Sequence, residues 1–328
     1  MKLTIAVPTY NRADVISQSL DSVINQKNDQ VEIIVCDNVS TDKTSEILQS
    51  YINKYGIKYY RSEKNGGMDF NFLNCLKYAQ GEYVLLFSDD DILLPGAVSK
   101  IIELIDNNKP DYINLNSAIF LKNVNEINEN SKPRIELKEE TDLISTDKDK
   151  YMSYLGVFLT YLSATIIKRE NYLKILTPEK YYGTYFMHAH IVLDTLEGAD
   201  KKVIITKAPL VAARMDNSGG FNLYEVWVRE YKKLLIEHAV ESGFSYEVMK
   251  SIYVKDINGF IRDSIRYYRL KNDYGMNKIK ILFQCTKEFP SVWIKTWPVA
   301  IAPKIILRIN NKIYRICYGI KRRLFNGN

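Results

Sequence analysis

The chain has 328 residues, 46% of them hydrophobic, and a net charge of +6. That supplies a core for one large domain with an extension, or for two small domains, and so mild a surplus excludes a case for nucleic-acid binding on charge alone. Four scattered cysteines, Cys36, Cys75, Cys285 and Cys317, lack metal-ligand spacing and read as reduced thiols of a cytosolic protein, no signal-peptide core follows Met1, and no charge-free apolar run is long enough to span a bilayer.

Residues 3–7 form an apolar run closed by Pro8, which predicts a buried strand. Residues 14–26 carry Val15, Leu20, Val23 and Ile24 at roughly helical spacing. A second buried strand is expected over 31–36, ending at Asp37-Asn38. A helix with Ser40 or Thr41 as N-cap then runs to about Tyr55. A short strand at 57–60, a loop at Asn65-Gly66-Gly67, a helix over 68–78 stopped by Gly81, a strand over 83–87 and a helix over 95–107 complete a β-α-β-α-β-α-β-α series. That alternation predicts an α/β fold with a doubly wound, mostly parallel sheet. Beyond it, 112–121 reads as a strand, 122–150 as a long polar excursion and 201–205 as another strand. From Leu223 the chain reads as mostly helical. The expected division is a catalytic domain over 1–220, split into halves 1–110 and 111–220, and a helical region over 221–328.

Ser88-Asp89-Asp90-Asp91 follows the apolar run Tyr83–Phe87. Three adjacent carboxylates at the C-terminal end of a strand repel one another unless a cation lies among them. Such an edge is where ligands bind in open α/β sheets, and Mg²⁺ or Mn²⁺ there bridges one or two carboxylates to phosphates. The alternative is a solvated turn with one Asp capping the next helix. The segments Pro8-Thr9-Tyr10-Asn11-Arg12, Asp37-Asn38 with Ser40-Thr41-Asp42, and Asn65-Gly66-Gly67 fall on neighbouring strand ends, so a doubly wound sheet gathers all four on one side.

In these ordered motifs the stretch resembles the inverting family 2 glycosyltransferases of GT-A fold. Phe87-Ser88-Asp89-Asp90-Asp91 with Leu94-Pro95-Gly96 is similar to the abequosyltransferase-like branch, which decorates bacterial surface polysaccharides. The resemblance implies a nucleotide-diphosphate sugar donor, most simply a UDP-sugar, and a saccharide or polyprenyl-linked acceptor. It assigns Asp37 to a base N–H, Pro8, Thr9, Tyr10 and Asn11 to base and ribose, and Asn65 and Gly67 to close backbone approach. Asp89 takes the ribose position, with metal binding as its alternative, and Asp90 the metal position. Asp91 is an alternative ligand or a helix cap. Ser88 stands where many relatives are acidic. Relatives also carry an acidic Glu-Asp pair on a later helix, which 185–194 lacks; His188 is the first choice as general base, with His190 and Asp194 as alternatives. Arg214, with Ser218 beside the hinge Gly219-Gly220, matches a loop that closes on the diphosphate.

After Glu288 the chain has no acidic residue, and Ile305, Ile309, Ile313, Ile316, Ile320 and Leu324 recur at helical spacing among Lys and Arg. Residues 293–325 therefore read as a basic amphipathic segment for an anionic membrane surface, which places the protein peripherally on the inner face of the cytoplasmic membrane. A packing helix or a homo-oligomer contact is the plainer alternative. A nucleotidyltransferase and an inactive subunit of an assembly complex are the competing functions.

Overall fold

The computed structural model describes residues 1–121, 124, 127, 131–215, 222–273 and 275–309. They form two compact units, one from Met1–Gly220 with Ile236–Met249, the other from Phe221–Leu235 with Lys250–Asn328.

The first unit opens with β1 (Leu3–Thr9), α1 (Ile16–Ile24), β2 (Val31–Asp37), α2 (Thr44–Tyr55), β3 (Lys58–Arg61), α3 (Met68–Tyr78) and β4 (Tyr83–Leu86). It continues with β5 (Ile92–Leu93), α4 (Ala97–Asn108), β6 (Tyr112–Asn114), β7 (Ser117–Phe120), β8 (Leu143–Ser145) and α5 (Lys148–Leu155). Then come β9 (Thr165–Lys168), α6 (Arg169–Tyr172), α7 (Met187–Thr195), β10 (Val203–Ile205) and β11 (Val211–Arg214). An eight-stranded sheet has the order β3-β2-β1-β4-β9-β6-β10-β8, and β5-β11-β7 form a second, small sheet. The pairs β3-β2, β2-β1 and β1-β4 are parallel, as the βα alternation predicts, whereas β9 runs antiparallel to both β4 and β6. Every residue of β1, β2 and β4 is buried, because helices cover both faces of a parallel sheet. Leu20 and Val23 of α1, Leu48 of α2, and Ile101 and Ile105 of α4 join these strands in the main core.

Three local expectations are corrected. The first strand does not stop before Pro8 but runs to Thr9. Ala6 accepts the Phe87 N–H and Thr9 accepts the Asn38 N–H, so alternation turns the Pro8 nitrogen toward the β4 side, where pairing has already ended at Leu86. A missing donor costs nothing there. The strand expected over 112–121 is two strands in two sheets. Buried Asn116 makes the corner: its side chain donates to the Ile135 and Lys207 carbonyls and accepts from the Ser117 and Ile135 N–H groups. Finally, α2 begins at Thr44, whose N–H bonds Asp42, while Ser40 turns back to Asp37.

The second unit is helical, with wide turns over 224–230 and 257–261, α8 (Tyr246–Asp256, shared with the first unit), α9 (Arg262–Leu270), α10 (Met276–Thr286), α11 (Pro290–Lys295) and α12 (Trp297–Ile301). Gly259 leaves helical geometry and kinks the chain between α8 and α9. Tyr231 and Tyr253 are fully buried, whereas Phe260 and Tyr267 are exposed.

Candidate active site

A cleft of about 400 Å³ opens at the C-terminal ends of β1, β2 and β4, lined by Pro8, Thr9, Tyr10, Arg12, Asn38, Asn65, Gly67, Met68, Asn71, Phe72, Ser88, Asp89 and Leu162. Six of the residues expected from sequence therefore share one cavity: Pro8, Thr9, Tyr10, Asn65, Gly67 and Asp89.

The loops around it are held by side chains that do not line it. Asn11 adopts φ +53°. Its backbone N–H bonds Ser40 Oγ at 2.9 Å and its Oδ1 accepts the Thr41 N–H at 2.7 Å, so it ties the loops after β1 and β2 together. Asp37 is fully buried. Oδ1 accepts from the Ser40 N–H and hydroxyl at 2.8 and 2.6 Å, and Oδ2 from Tyr59, Arg61 and Ser45 at 2.7, 3.0 and 3.2 Å. Five donors occupy a carboxylate with about four lone-pair sites. The expectation that Asp37 is open to a base N–H is corrected: as it stands it organises the loop. That loop carries Val39 at φ +66°, a costly conformation for a β-branched residue. The hydrogen bonds of its neighbours Asn38 and Ser40 hold it there.

Asn38, which the sequence places at the strand end with no role of its own, shapes the glycine loop. Its Nδ2 donates to Asn65 Oδ1 at 2.8 Å and the Gly67 carbonyl at 3.0 Å, and its Oδ1 accepts the Gly66 N–H at 3.0 Å. Gly67 has φ +87°, which favours glycine, whereas a Cβ on Gly66 would meet the Phe70 ring at 2.4 Å. Asn71, unanticipated from sequence, donates to the Cys36 and Thr9 carbonyls at 2.8 and 3.3 Å and closes the floor between β1 and β2.

The three carboxylates have three different settings. Asp89 is 6% exposed and pairs with Arg12 Nε at 3.2 Å. Burial pushes its pKa up to about 7, against the pull of Arg12 and with added repulsion from Asp90. Asp91 is 4% exposed. Its Oδ2 accepts from the Tyr161 and Ser163 hydroxyls at 2.8 and 2.5 Å and its Oδ1 from the Arg214 N–H at 2.9 Å. Burial, then Asp90, raise it to about 6. Both oxygens of Asp91 are thus spent inside the protein, which corrects its candidacy as a metal ligand and as a helix cap. Asp90 is half-buried and accepts the Ser88 hydroxyl at 2.5 Å. No group of three or more His, Cys, Asp or Glu among the described residues is placed to hold a metal ion. Were Mg²⁺ or Mn²⁺ bound at this turn, Asp90 is the carboxylate that would hold it, and the ion would supply charge neutralisation for a diphosphate.

Arg214 ends β11 above this turn. Its Nε donates to the Asp90 carbonyl at 3.1 Å, one Nη to Gln18 at 2.7 Å, and its guanidinium lies 4.7 Å from the Phe120 ring centre. Ser218, with its hinge glycines, lies outside the described residues, as does the tail beyond 309. A second unanticipated cation, Arg134, stacks on Phe158 and Tyr161 at 4.9 and 5.5 Å.

None of the residues expected as general base is among those lining the cleft. His188 is 4% exposed, packs edge-on to Phe72, and places Nε2 2.9 Å from the Thr160 carbonyl. A carbonyl requires a donor, so Nε2 carries the proton; burial lowers the pKa to about 4. Burial thus favours the neutral form of this imidazole, against the opposing pull of the Thr160 carbonyl, and the ring packs against the cleft-lining Phe72. His190 and Asp194 belong to a separate cluster. His190 Nδ1 meets His238 Nδ1 at 2.7 Å, and Asp194 accepts from Tyr181 at 2.8 Å and His238 at 2.9 Å. Asp194 borders a different cavity of about 520 Å³, with Asn171, Lys174, Lys180 and Lys201. Asn171 bonds Asp111 just before β6, and β6 runs parallel to β4 because both pair antiparallel with β9. That cavity therefore sits at the opposite sheet edge from the cleft.

Comparison with known proteins agrees with this geometry. The model of the family described as glycosyl transferase family 2 matches residues 4–172. The abequosyltransferase RfbV of Salmonella typhimurium is 29% identical over 226 residues, 66% of this chain and 68% of that protein. The poly(ribitol-phosphate) beta-N-acetylglucosaminyltransferase TarS of Staphylococcus aureus is 26% identical over 80% of this chain, which spans 42% of that protein's length. A crystal structure of TarS 1-349 in complex with UDP-GlcNAc superposes with TM-score 0.61 at 20% identity, covering 88% of this chain and 80% of that one. The mannosyltransferase PcManGT from Pyrobaculum calidifontis, in complex with GDP-Man and Mn²⁺, gives 0.51 at 14% identity, over 94% and 86%. The fold is that of the GT-A glycosyltransferases, and the chain belongs to glycosyl transferase family 2.

Proposed function

We propose that this chain transfers a sugar from a nucleotide-diphosphate sugar, a UDP-sugar in the best-supported case, to a hydroxyl of a saccharide or lipid-linked saccharide during synthesis of a bacterial surface polysaccharide, with inversion at the anomeric carbon. The observation that carries the reading is the cleft at the β1, β2 and β4 ends, lined by Ser88 and Asp89 of the acidic turn, whose next residue, Asp90, accepts Arg214 Nε on its carbonyl. Ligands bind at that edge of such sheets. The solved relative holding UDP-GlcNAc supports the uridine donor; the names of the abequosyl- and poly(ribitol-phosphate) transferases support the polysaccharide setting.

In this reading Tyr10 and Thr9 border the base and ribose, with Asn71 as floor. Mn²⁺ or Mg²⁺, held by Asp90, supplies charge neutralisation for the diphosphate. The chain's own contribution is the fixed guanidinium of Arg214, whose planar fork suits phosphate oxygens. It is preorganised by Gln18, the Asp90 carbonyl and Phe120, so it meets the charge that grows on the departing diphosphate without reorganising. Exposed Ile294, Ile301, Ile305 and Ile309 among Lys295, Lys304 and Arg308 support a peripheral membrane contact for a lipid-linked acceptor. The test is calorimetric titration with UDP, GDP, TDP and CDP, each with and without Mn²⁺. Binding of UDP strengthened by Mn²⁺ is expected; absence of binding by all four overturns the reading.

A further inference from the structure

One wall of the cleft is built on the first turn of α3. Met68 lines the cleft and is 44% exposed; the next two residues reach the other way. Asp69 is 8% exposed, and its Oδ2 accepts the Gly183 N–H at 2.8 Å. The backbone N–H groups of Tyr185 and Met187 also act on this carboxylate, opposing the rise that burial gives its pKa. Phe70 meets Tyr182 edge-on, ring centres 6.5 Å apart. The loop between Tyr181 and α7 is thereby latched to the wall of the cleft.

That loop displays two large aromatic rings. Tyr182 is 43% exposed and Tyr185 39% exposed. Tyr185 has φ +63° and follows Gly183 at φ +81°. A left-handed conformation disfavours an aromatic residue, and a strained, exposed residue held by its surroundings marks a candidate ligand contact. Tyrosine offers an apolar face and a polar tip, the chemistry that matches a sugar ring with its C–H face and hydroxyl rim. Resting on the glycosyltransferase reading, in which the acceptor hydroxyl must approach the cleft that holds the donor, we propose that Tyr182 and Tyr185 form the saccharide subsite for the acceptor, with Asp69 as the positioning residue that holds them at the cleft.

The experiment is saturation-transfer NMR on the full chain with UDP and Mn²⁺ present, using p-nitrophenyl glycosides of glucose, galactose and N-acetylglucosamine as probes, with UDP affinity measured in parallel. Wild type is expected to give saturation transfer to at least one glycoside. Tyr182→Ala with Tyr185→Ala is expected to weaken that glycoside at least about tenfold while UDP affinity stays within about twofold. Asp69→Ala is expected to weaken it likewise, and Asp69→Asn, whose amide oxygen still accepts the Gly183 N–H, to restore it. Undiminished glycoside binding in the double variant overturns the subsite, and so does a wild type that binds UDP but no glycoside. Failure to bind UDP overturns instead the reading on which the subsite rests. An Asp69→Asn variant that binds glycoside normally yet loses turnover overturns the positioning role, because the carboxylate then acts on the reacting atoms.

Discussion

Asp91 and Arg214 are joined across 123 residues of sequence, Asp91 Oδ1 accepting the Arg214 backbone N–H at 2.9 Å. The same carboxylate takes the Tyr161 and Ser163 hydroxyls on its other oxygen. One buried side chain thus fixes the acidic turn, the segment before β9 and the end of the small sheet, and it sets where the Arg214 guanidinium emerges. Asp91→Ala strands these donors in a site that was 4% exposed. Each unmet buried donor costs about 1–3 kcal/mol, so the variant is expected to lose roughly 3 kcal/mol and to melt about 5–10 °C lower. Asp91→Asn keeps an acceptor for the N–H and offers its amide to the hydroxyl oxygens, and is expected to lose less than half as much. Calorimetry distinguishes them, and an alanine variant that melts like wild type contradicts the role.

Asp90 is less buried than Asp91, and its carboxylate accepts the Ser88 hydroxyl. Asp90→Ala is expected to remove the Mn²⁺-dependent part of UDP binding, with turnover down by at least about a hundredfold. Chelation of wild type is expected to reproduce the binding loss. A variant with full activity sinks the assignment.

The donor half is readable from sequence because every step is local. Apolar runs of strand length, helical spacing between them and polar residues at the strand ends fix both the βα order and the edge where Asp89, Asp90 and Asp91 emerge. What separates those three carboxylates is not local. Tyr161, Ser163 and Arg214 lie 70 to 123 residues from Asp91, and nothing in the spacing pairs them. Histidine at 188 looks like a base because of its residue type; its neighbours Thr160 and Phe72, remote in sequence, set its tautomer and its packing. Two signals were available and unused. Asn114 and Asn116 interrupt an apolar run and mark the corner between β6 and β7, and Arg12 follows Asn11 inside a motif already recognised.

His188 makes a pH-dependent prediction. Its pKa falls from 6.5 to about 4 in the folded chain because burial disfavours the charged ring. Between those values the unfolded chain binds a proton that the native chain does not, so stability that is present above pH 6.5 is lost as pH falls toward 4. At pH 5 this one group removes about 2 kcal/mol relative to pH 7.5. His188→Gln retains a donor for the Thr160 carbonyl and cannot titrate. Urea unfolding at the two pH values is expected to show a loss smaller by about that amount, with turnover at pH 7.5 within about threefold of wild type. A turnover loss of about a hundredfold or more would instead make His188 the base.

The second unit carries the last prediction. Trp293 and Trp297 stack at 4.8 Å, with Trp293 41% exposed while Trp297 is buried. Around them Ile294, Ile301 and Ile305 are each at least 60% exposed, and no acidic residue follows Glu288. A water-facing surface gains nothing from exposed isoleucines, whereas burial of one in an acyl boundary returns about 1.5–3 kcal/mol. A basic side chain near an anionic surface adds about 1 kcal/mol. The protein is therefore expected to co-sediment with phosphatidylglycerol-containing vesicles and much less with neutral phosphatidylcholine. Ile294→Glu with Ile301→Glu and Ile305→Glu is expected to abolish sedimentation while UDP affinity, proposed for the cleft of the first unit, stays the same. A single species at monomer mass by light scattering, wild type and variant alike, excludes self-association as the reason for the exposed face. Wild type that ignores anionic vesicles refutes the membrane contact.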